Sequence, residues 1–394
     1  MTYLRSQPRN PVNKKKKEGK LMKHGLFLEE LAKELERREQ IKRDFKSPTK
    51  LLKVEHIKSK YSRSGVDTNN FLLRFINGTD EISELPAEGF RVNQLAQNQI
   101  RTWAGIPAKY YELMKEKDPD LLVYNINRWF ERKNEPRLIR TEENRVRAFL
   151  SNKYRCIDNF DIFKTVIPIL LEESRMQLKI ISCGLTESHL YLKVLSERLT
   201  FEVRVGDPVQ VGLVISNSEV GKGSVAIEPL VYRLSCKNGA IISDRAMRKY
   251  HVGRYHEEIN ELTELFRDET RQANDQAFLM KLEDVTRAAL KETNYDFLKN
   301  IVIDANTRKI EAGPSKVLER VTEEFGLRKE ETEGVLQALI TGGSQEMTQW
   351  GLANAVTWVA NHRDEYERAT ELEKIGGRIL TLPENQWKAL AIED

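Results

Sequence analysis

The stretch that most invites a chemical reading is SNSEVGKGSVAIEPLVYRLSCKNGAI, residues 216–241. Its Gly221-Lys222-Gly223-Ser224 looks like the end of a phosphate-binding loop. Such a loop needs G-x-x-x-x-G-K-[ST] between a strand and a helix, so that helical N–H groups face the phosphates. Here Gly223 stands in place of Ser or Thr, and Ser216 stands where the first glycine belongs. SVAIEPLVY, which follows, alternates like a strand rather than a helix. All three requirements fail, so nucleotide hydrolysis is not expected and no cofactor is called for. A glycine-rich turn between antiparallel strands fits better, and Lys222 in it still offers a positive charge to a phosphate backbone.

Metal and nucleophile chemistry fare no better. His251 and His256 lie five apart beside Glu257 and Glu258. Five residues turn a helix through about 500°, which leaves the two rings about 140° apart. A zinc helix instead needs two His at i and i+4. No serine or cysteine sits in a nucleophile elbow and no paired-acid motif stands out. An enzyme would need a site assembled from distant positions.

Basic residues interleaved with aromatics give the stronger signal. Lys179, Lys193, Arg198, Arg204, Lys222, Arg233 and Lys237 fall in strand-like sequence, and SDRAMRKYHVGRYH follows. Cations can track phosphates and rings can stack on bases, each stack worth ~1–3 kcal/mol. The candidate nucleic-acid contacts are Arg204, Lys222, Arg233, Lys237, Arg245, Arg248, Lys249, Tyr250 and Arg254. The alternative is a solvated cationic face. A second set, Trp350, Asn354, Thr357, Trp358 and Asn361, recurs at helical spacing, and reads first as core with satisfied polar groups.

The elements that must position these residues follow from period and punctuation. LFLEELAKELERREQIKRDF reads as an amphipathic helix ending before Ser47-Pro48, and Phe71–Ile76 as a short strand. Three helices come next: one stopped by Gly105, one with Pro107 in its first turn, one capped by Asp118. RLIR and RVRAFL form a hairpin, and Asp158 is a candidate cap for NFDIFKTVIPILLEE. LKIIS, HLYLKVL, LTFEVRV, VQVGLVIS and SVAIEPLVYRLSC then alternate with period two, with turns at Gly206-Asp207-Pro208, Gly221/Gly223 and Asn238-Gly239. Connections this short join antiparallel strands. Pro229 marks its strand as an edge or bulged strand. Beyond Ser243 the pattern is helical, with Gly342-Gly343 and Gly376-Gly377 as stops.

The expected fold is α+β: an antiparallel β-meander with a following long helix, an N-terminal helical segment and a C-terminal all-helical lobe. Four parts are expected: a disordered basic tail at 1–25, an amphipathic helix and linker at 26–90, an α+β core at 91–256 and an acidic helical lobe at 257–394. Charge supports the division. Residues 1–60 carry 18 Lys/Arg against 8 Asp/Glu, 61–256 carry 29 against 24, and 257–394 carry 17 against 28. A basic front suggests a polyanionic partner. No apolar run is long enough to span a membrane, and MTYLRSQPRN lacks the apolar stretch of a secretory signal. Cys156, Cys183 and Cys236 are isolated and odd in number, which points to a reducing, cytoplasmic setting.

GIPAKYYELM, LLVYNINRWFE, RVRAFLSNKYRCIDN, GLVISNSEVGKGSVAIEPLVYRLSCKNGAI and WGLANAVTWVANH with ELEKIGG together resemble a family of phage- and plasmid-encoded proteins with no assigned activity. The resemblance runs over roughly residues 90–377 and carries no catalytic residues with it. A meander followed by a long helix is also similar in topology to the core of single-strand annealing recombinases. That similarity implies rings or filaments that bind single strands without hydrolysis, by analogy of fold alone. The expected function is non-enzymatic nucleic-acid binding in a phage or plasmid, single-stranded DNA favoured, in recombination or replication. The alternative is a regulatory protein that acts on a host protein through the acidic lobe.

Overall fold

The computed structural model describes residues 27–57, 71–76, 89–172, 176–242, 268–290, 293–342 and 346–392. Within them the fold is α+β, with 12 helices and two sheets.

The first sheet has six strands in the order β1-β5-β6-β4-β3-β2. They are β1 (Lys42–Pro48), β2 (Leu52–His56), β3 (Phe71–Phe75), β4 (Phe90–Val92), β5 (Pro136–Glu142) and β6 (Arg145–Ser151). All neighbours are antiparallel except β4 and β6. Two expectations change here. The helix α1 (Leu28–Ile41) stops earlier than its charge pattern suggests, and KRDFKSP becomes a strand. Its seven residues pair with β5, and that ladder overrides local helix propensity. LKVEH, with Leu52 and Val54 buried and Lys53 exposed, is a further strand that the turn-rich surroundings obscured.

Three helices lie between β4 and β5: α2 (Gln94–Ala104), α3 (Ala108–Lys117) and α4 (Pro119–Lys133). Their ends are set locally. Asn93 accepts from the Ala96 N–H at 2.8 Å, Asp118 accepts from the Leu121 N–H at 3.0 Å, and Gly105 closes α2 at φ 75°. Pro107 sits just before α3 rather than inside its first turn. Ile100, Ile126 and Phe130 bury their side chains with Leu73, Phe90 and Phe149 of the sheet.

The second sheet is the expected meander, β11-β10-β9-β8-β7, antiparallel throughout. Its strands are β7 (Leu178–Leu185), β8 (Leu190–Glu202), β9 (Pro208–Asn217), β10 (Ala226–Arg233) and β11 (Asn238–Ile241). HLYLKVL and LTFEVRV merge into β8, which is irregular between Leu195 and Thr200. Asn238-Gly239 belongs to β11 rather than to a turn. β10 is paired on both sides along Leu230–Arg233, so it is not an edge strand there. Pro229 lies one residue past that ladder. Its carbonyl still accepts the Ile242 N–H at 2.9 Å, and the missing donor falls where β11 ends.

Helices bury both faces of this sheet. On one face, Leu192, Val194, Leu213 and Ile215 pack in one core with α1, α5 (Asn159–Glu172) and α6 (Asp268–Ala289). Val209, Val211, Val231 and Ala240 continue that face against α7 (Thr293–Thr307), α8 (Pro314–Phe325), α9 (Lys329–Thr341), α10 (Gln349–Asn361), α11 (Tyr366–Leu380) and α12 (Glu384–Ala391). On the other face, Tyr191, Leu195, Val214 and Leu230 meet Tyr366 of α11. Gly376-Gly377 is not a helix stop. α11 runs through it, and the glycine answers to packing instead: a Cβ on Gly377 would come within 1.9 Å of the Ile241 carbonyl oxygen. Gly342 does follow the last residue of α9.

Arg140 of β5 joins the two sheets. It is fully buried, and donates to Asp44 of β1 at 2.9 Å, to Asp158 at 2.6 Å and to the Glu219 carbonyl of the β9–β10 loop at 2.7 Å. Lys42 also bonds Asp158. The Asp158 carboxylate therefore serves these cations rather than capping α5. Glu219 takes that place, accepting the Asn159 N–H at 3.0 Å. Burial opposes the charge on Arg140, but Asp158 and Asp44 outweigh it and hold its pKa above the ordinary guanidinium range.

Arg140→Met should cost about 3–5 kcal/mol in urea unfolding, because it strands two carboxylates. Replacing Arg140, Asp44 and Asp158 together with apolar residues should cost less than that single change. Burial pushes the Asp158 carboxyl up, but Arg140 and Lys42 prevail and lower it to about 2. The unfolded chain protonates it near pH ~4. Its contribution is thus complete above about pH 4 and lost as pH falls through 2, and Asp158→Asn should flatten that limb of the stability curve.

Candidate functional site

Of the nine sequence-predicted contacts, the four among the described residues, Arg204, Lys222, Arg233 and Lys237, do not gather into one patch. Arg233 is 7% exposed and donates to Asp207 at 2.5 Å and to Glu346 at 2.9 Å. Arg204 also bonds Glu346, and the Trp350 indole N–H reaches Asp207 at 3.3 Å. Burial opposes the charge on Arg233, but bonds to Glu346 and Asp207 raise its pKa above the usual range. These two arginines bind carboxylates of the fold. Lys193, from the wider basic set, is likewise buried against Glu373 at 2.6 Å. Lys222 is exposed in the β9–β10 loop and Lys237 in the β10–β11 turn, at opposite ends of β10. Arg245, Arg248, Lys249, Tyr250 and Arg254 lie outside the described residues, as do His251 and His256.

The GKGS segment is a turn between antiparallel strands, with Gly221 at φ 78°. Its inner side is tied down. Val220 O accepts from Gln99 at 2.8 Å, Ser218 O accepts from the Tyr154 hydroxyl at 3.0 Å, and the Lys222 N–H donates to Ser218 Oγ at 3.0 Å. A strand, β10, rather than a helix follows the loop's glycines in the chain.

A cleft opens where the meander meets α9 and α10. It measures about 340 Å³, and Arg233 and Glu346 are among the residues that line it. So are Gln337 and Thr341 of α9, Asn354 and Trp358 of α10, and Cys236 of the β10–β11 turn. Of the aromatic and amide set on α10, Trp350, Asn354 and Thr357 are buried. Asn238 donates to Thr357 Oγ1 and to the Asn354 carbonyl at 3.1 Å, which matches the reading of satisfied polar core. Trp358 remains half-buried beside His362, ring centroids 4.0 Å apart. Asn361 donates to the Lys237 carbonyl at 2.8 Å, which fixes the turn beside the cleft. Sequence spacing singled out Trp358 within a set read first as core, and Arg233 as a phosphate contact. It marked Asp207 only as a turn residue, and nothing in it paired Arg233 with Asp207 or Glu346.

One further cluster has the residue types of a hydrolase. Ser188, His189 and Glu367 meet beside the β7–β8 turn, with Ser188 Oγ 2.8 Å from His189 Nδ1. Glu367 also approaches Nδ1, at 3.6 Å, and bonds Ser188 directly. A relay places the acid and the nucleophile on opposite ring nitrogens. Here both occupy one side, so the cluster is a tether between the β7–β8 turn and α11. Bonds to His189 and Ser188 outweigh burial and lower the Glu367 pKa to about 2. Among the described residues, no three His, Cys, Asp or Glu are placed to hold a metal, and no helix is long and apolar enough to cross a membrane.

A family model described as a domain of unknown function (DUF932) matches residues 148–377. The match starts within β6 and ends within α11. It takes in the whole meander and the cleft, and begins later than residue 90, where the sequence resemblance was placed. Neither a curated protein nor a solved structure matches the chain.

Arg233→Met should destabilise the protein by about 3–5 kcal/mol in denaturant unfolding, since Asp207 and Glu346 lose a buried partner. Lys222→Ala and Lys237→Ala, both at exposed turns, should each change stability by no more than about 0.5 kcal/mol.

Proposed function

We propose, for a chain that belongs to the family described as a domain of unknown function (DUF932), non-enzymatic binding of single-stranded nucleic acid. The setting is the cytoplasm, and the source a phage or plasmid using the protein in recombination or replication. The observation that carries this reading is the cleft of about 340 Å³ beside the Lys237 turn, walled by the half-buried Trp358 indole. A ring offered in a cleft of that size suits one unstacked base, with stacking worth ~1–3 kcal/mol. Gln337 and Thr341 supply amide and hydroxyl groups at the rim for a base edge. Lys237, one residue from the lining Cys236, supplies the charge for a phosphate. A paired duplex keeps its bases stacked inside, which favours single strands. Arg245, Arg248, Lys249, Tyr250 and Arg254 follow β11 closely in sequence and would extend the phosphate contacts.

The meander itself is an unsuitable platform. α11 lies against one face of it, so a strand laid there would have to displace Tyr366 and the Lys193–Glu373 pair. The second reading, a regulator that acts on a host protein, draws on Glu319, Glu323, Glu324, Glu330 and Glu333, exposed along α8 and α9. It calls for a complex that survives nuclease treatment.

Fluorescence anisotropy with single- and double-stranded oligonucleotides at two salt concentrations separates these readings. Single strands should bind more tightly, with log K falling against log salt by about 0.7 per neutralised phosphate. Trp358→Ala should lose ~1–3 kcal/mol of binding, and Lys237→Ala should reduce the salt slope by about 0.7. Binding that is absent, or indifferent to salt, ends the nucleic-acid reading.

A further inference from the structure

The first sheet holds an arginine that the fold does not answer. Arg137 of β5 is half-buried, with its guanidinium carbon 4.9 Å from the centre of the Phe149 ring. Arg140 and Arg147, on β5 and β6, each meet carboxylates, from Asp44 and Asp158 and from Glu219. Arg137 has no hydrogen-bond or ion-pair partner among the described residues. Its Nε is sealed from solvent, whereas Nη1 and Nη2 are neither sealed nor bonded and form the open end of the group. Burial lowers its pKa, against the pull of Glu135. A half-buried charge with unmet donors is costly unless something outside the fold meets it.

Rings and cations alternate from there towards α2 and α4. The Phe149 ring lies 5.8 Å from that of Trp103. The Lys133 ammonium stands 5.0 Å from the Trp103 ring and 5.4 Å from that of Trp129, which is 37% exposed. Lys50 comes in with the turn after β1, because Thr49 exchanges hydrogen bonds with Glu135, at 3.0 and 3.2 Å. Lys50 and Arg132 are exposed and have no partner among the described residues. Lys50, Arg128, Arg132, Lys133 and Arg137 thus stand against two carboxylates, and both of those are engaged. Glu131 accepts from Arg128 at 2.8 Å and Glu135 from the Trp103 indole at 2.7 Å. The negative end of the α4 dipole accounts for Arg132 and Lys133 in its last turn, but not for Arg137 or Lys50.

We infer that this surface is a second nucleic-acid contact, where Arg137, Lys133, Arg132 and Lys50 meet backbone phosphates and the Trp129 indole stacks on a base. The cations are spread over a strand end, a turn and a helix end rather than closed round one point, which suits a polymer better than a small anion. An acidic peptide would match the charge but bring no ring to Trp129, whereas every base has a π-face. The inference rests on the reading above for its ligand class and shares none of its residues. Apart from Phe149, the surface also precedes the residues matched by the family model, so it belongs to this chain's own N-terminal part.

The test is fluorescence anisotropy of the full chain with labelled oligothymidine at several salt concentrations, and poly-glutamate of matched charge as competitor. Arg137→Gln should lower the slope of log K against log salt by about 0.7, and Lys50→Ala with Arg132→Ala by about 1.4. Trp129→Ala should weaken binding about tenfold, and poly-glutamate should compete at least about tenfold less well than unlabelled oligothymidine. Unchanged slopes in both sets of charge variants overturn the surface. So does poly-glutamate that competes equally well, or a wild-type chain that binds no oligonucleotide. Unchanged slopes here with binding lost in Trp358→Ala would leave the cleft reading standing, and the reverse pattern would remove the cleft alone. Lys50 and Arg132 are exposed, so their double variant decides the matter even where Arg137→Gln fails to fold.

Discussion

The structure depends on one buried cation. Arg140 brings β1, the start of α5 and the β9–β10 loop to a single guanidinium group, and its three acceptors come from residues 44, 158 and 219. Removing a charged group from water is expensive, and the cost is offset only when every hydrogen is met in good geometry. Here Asp44 and Asp158 supply charge, and a main-chain carbonyl supplies the third acceptor. The two sheets are thereby held in one arrangement, because any slip leaves a bare charge in the interior. Hydrophobic packing alone tolerates more rearrangement than that.

A second buried ion cluster, Asp207 with Arg233 and Glu346, does for the meander and α10 what Arg140 does for the two sheets. Its position places a charged pair, Arg233 and Glu346, in the lining of the cleft beside it. The cluster already satisfies itself, so the chemistry left for a visitor belongs to the other lining residues. That is why Trp358, Gln337 and Thr341 matter more to the functional reading than the buried arginine does.

Much of the fold was legible where the signal was local. Asn93, Gly105 and Asp118 set helix ends by bonds or dihedrals within a few residues, and short turns between period-two runs implied the meander. The first sheet was mostly hidden. β1 is a polar heptapeptide continuing a charged helix, and only pairing with β5, nearly a hundred residues away, makes it a strand. Arg204 and Arg233 read as surface cations for the same reason. A cation buried against Glu346 is spelled like a solvated one, and its partner lies 113 residues further on. Gly376-Gly377 misled in the opposite direction, because a glycine pair inside a helix marks close approach as readily as an end, and here the approaching chain is β11.

Glu219 accepts the Asn159 N–H across sixty residues of chain. Most helices close their first turn with a neighbour that is present from the outset. α5 instead waits for a hairpin that does not exist until most of the meander has been laid down. The consequence concerns the order of events in folding. A loop of that length must close before the helix gains its terminal bond, so this turn consolidates late. Until then the Asn159 N–H lacks its Glu219 acceptor, so the terminal bond of α5 and the closure of the hairpin are one event.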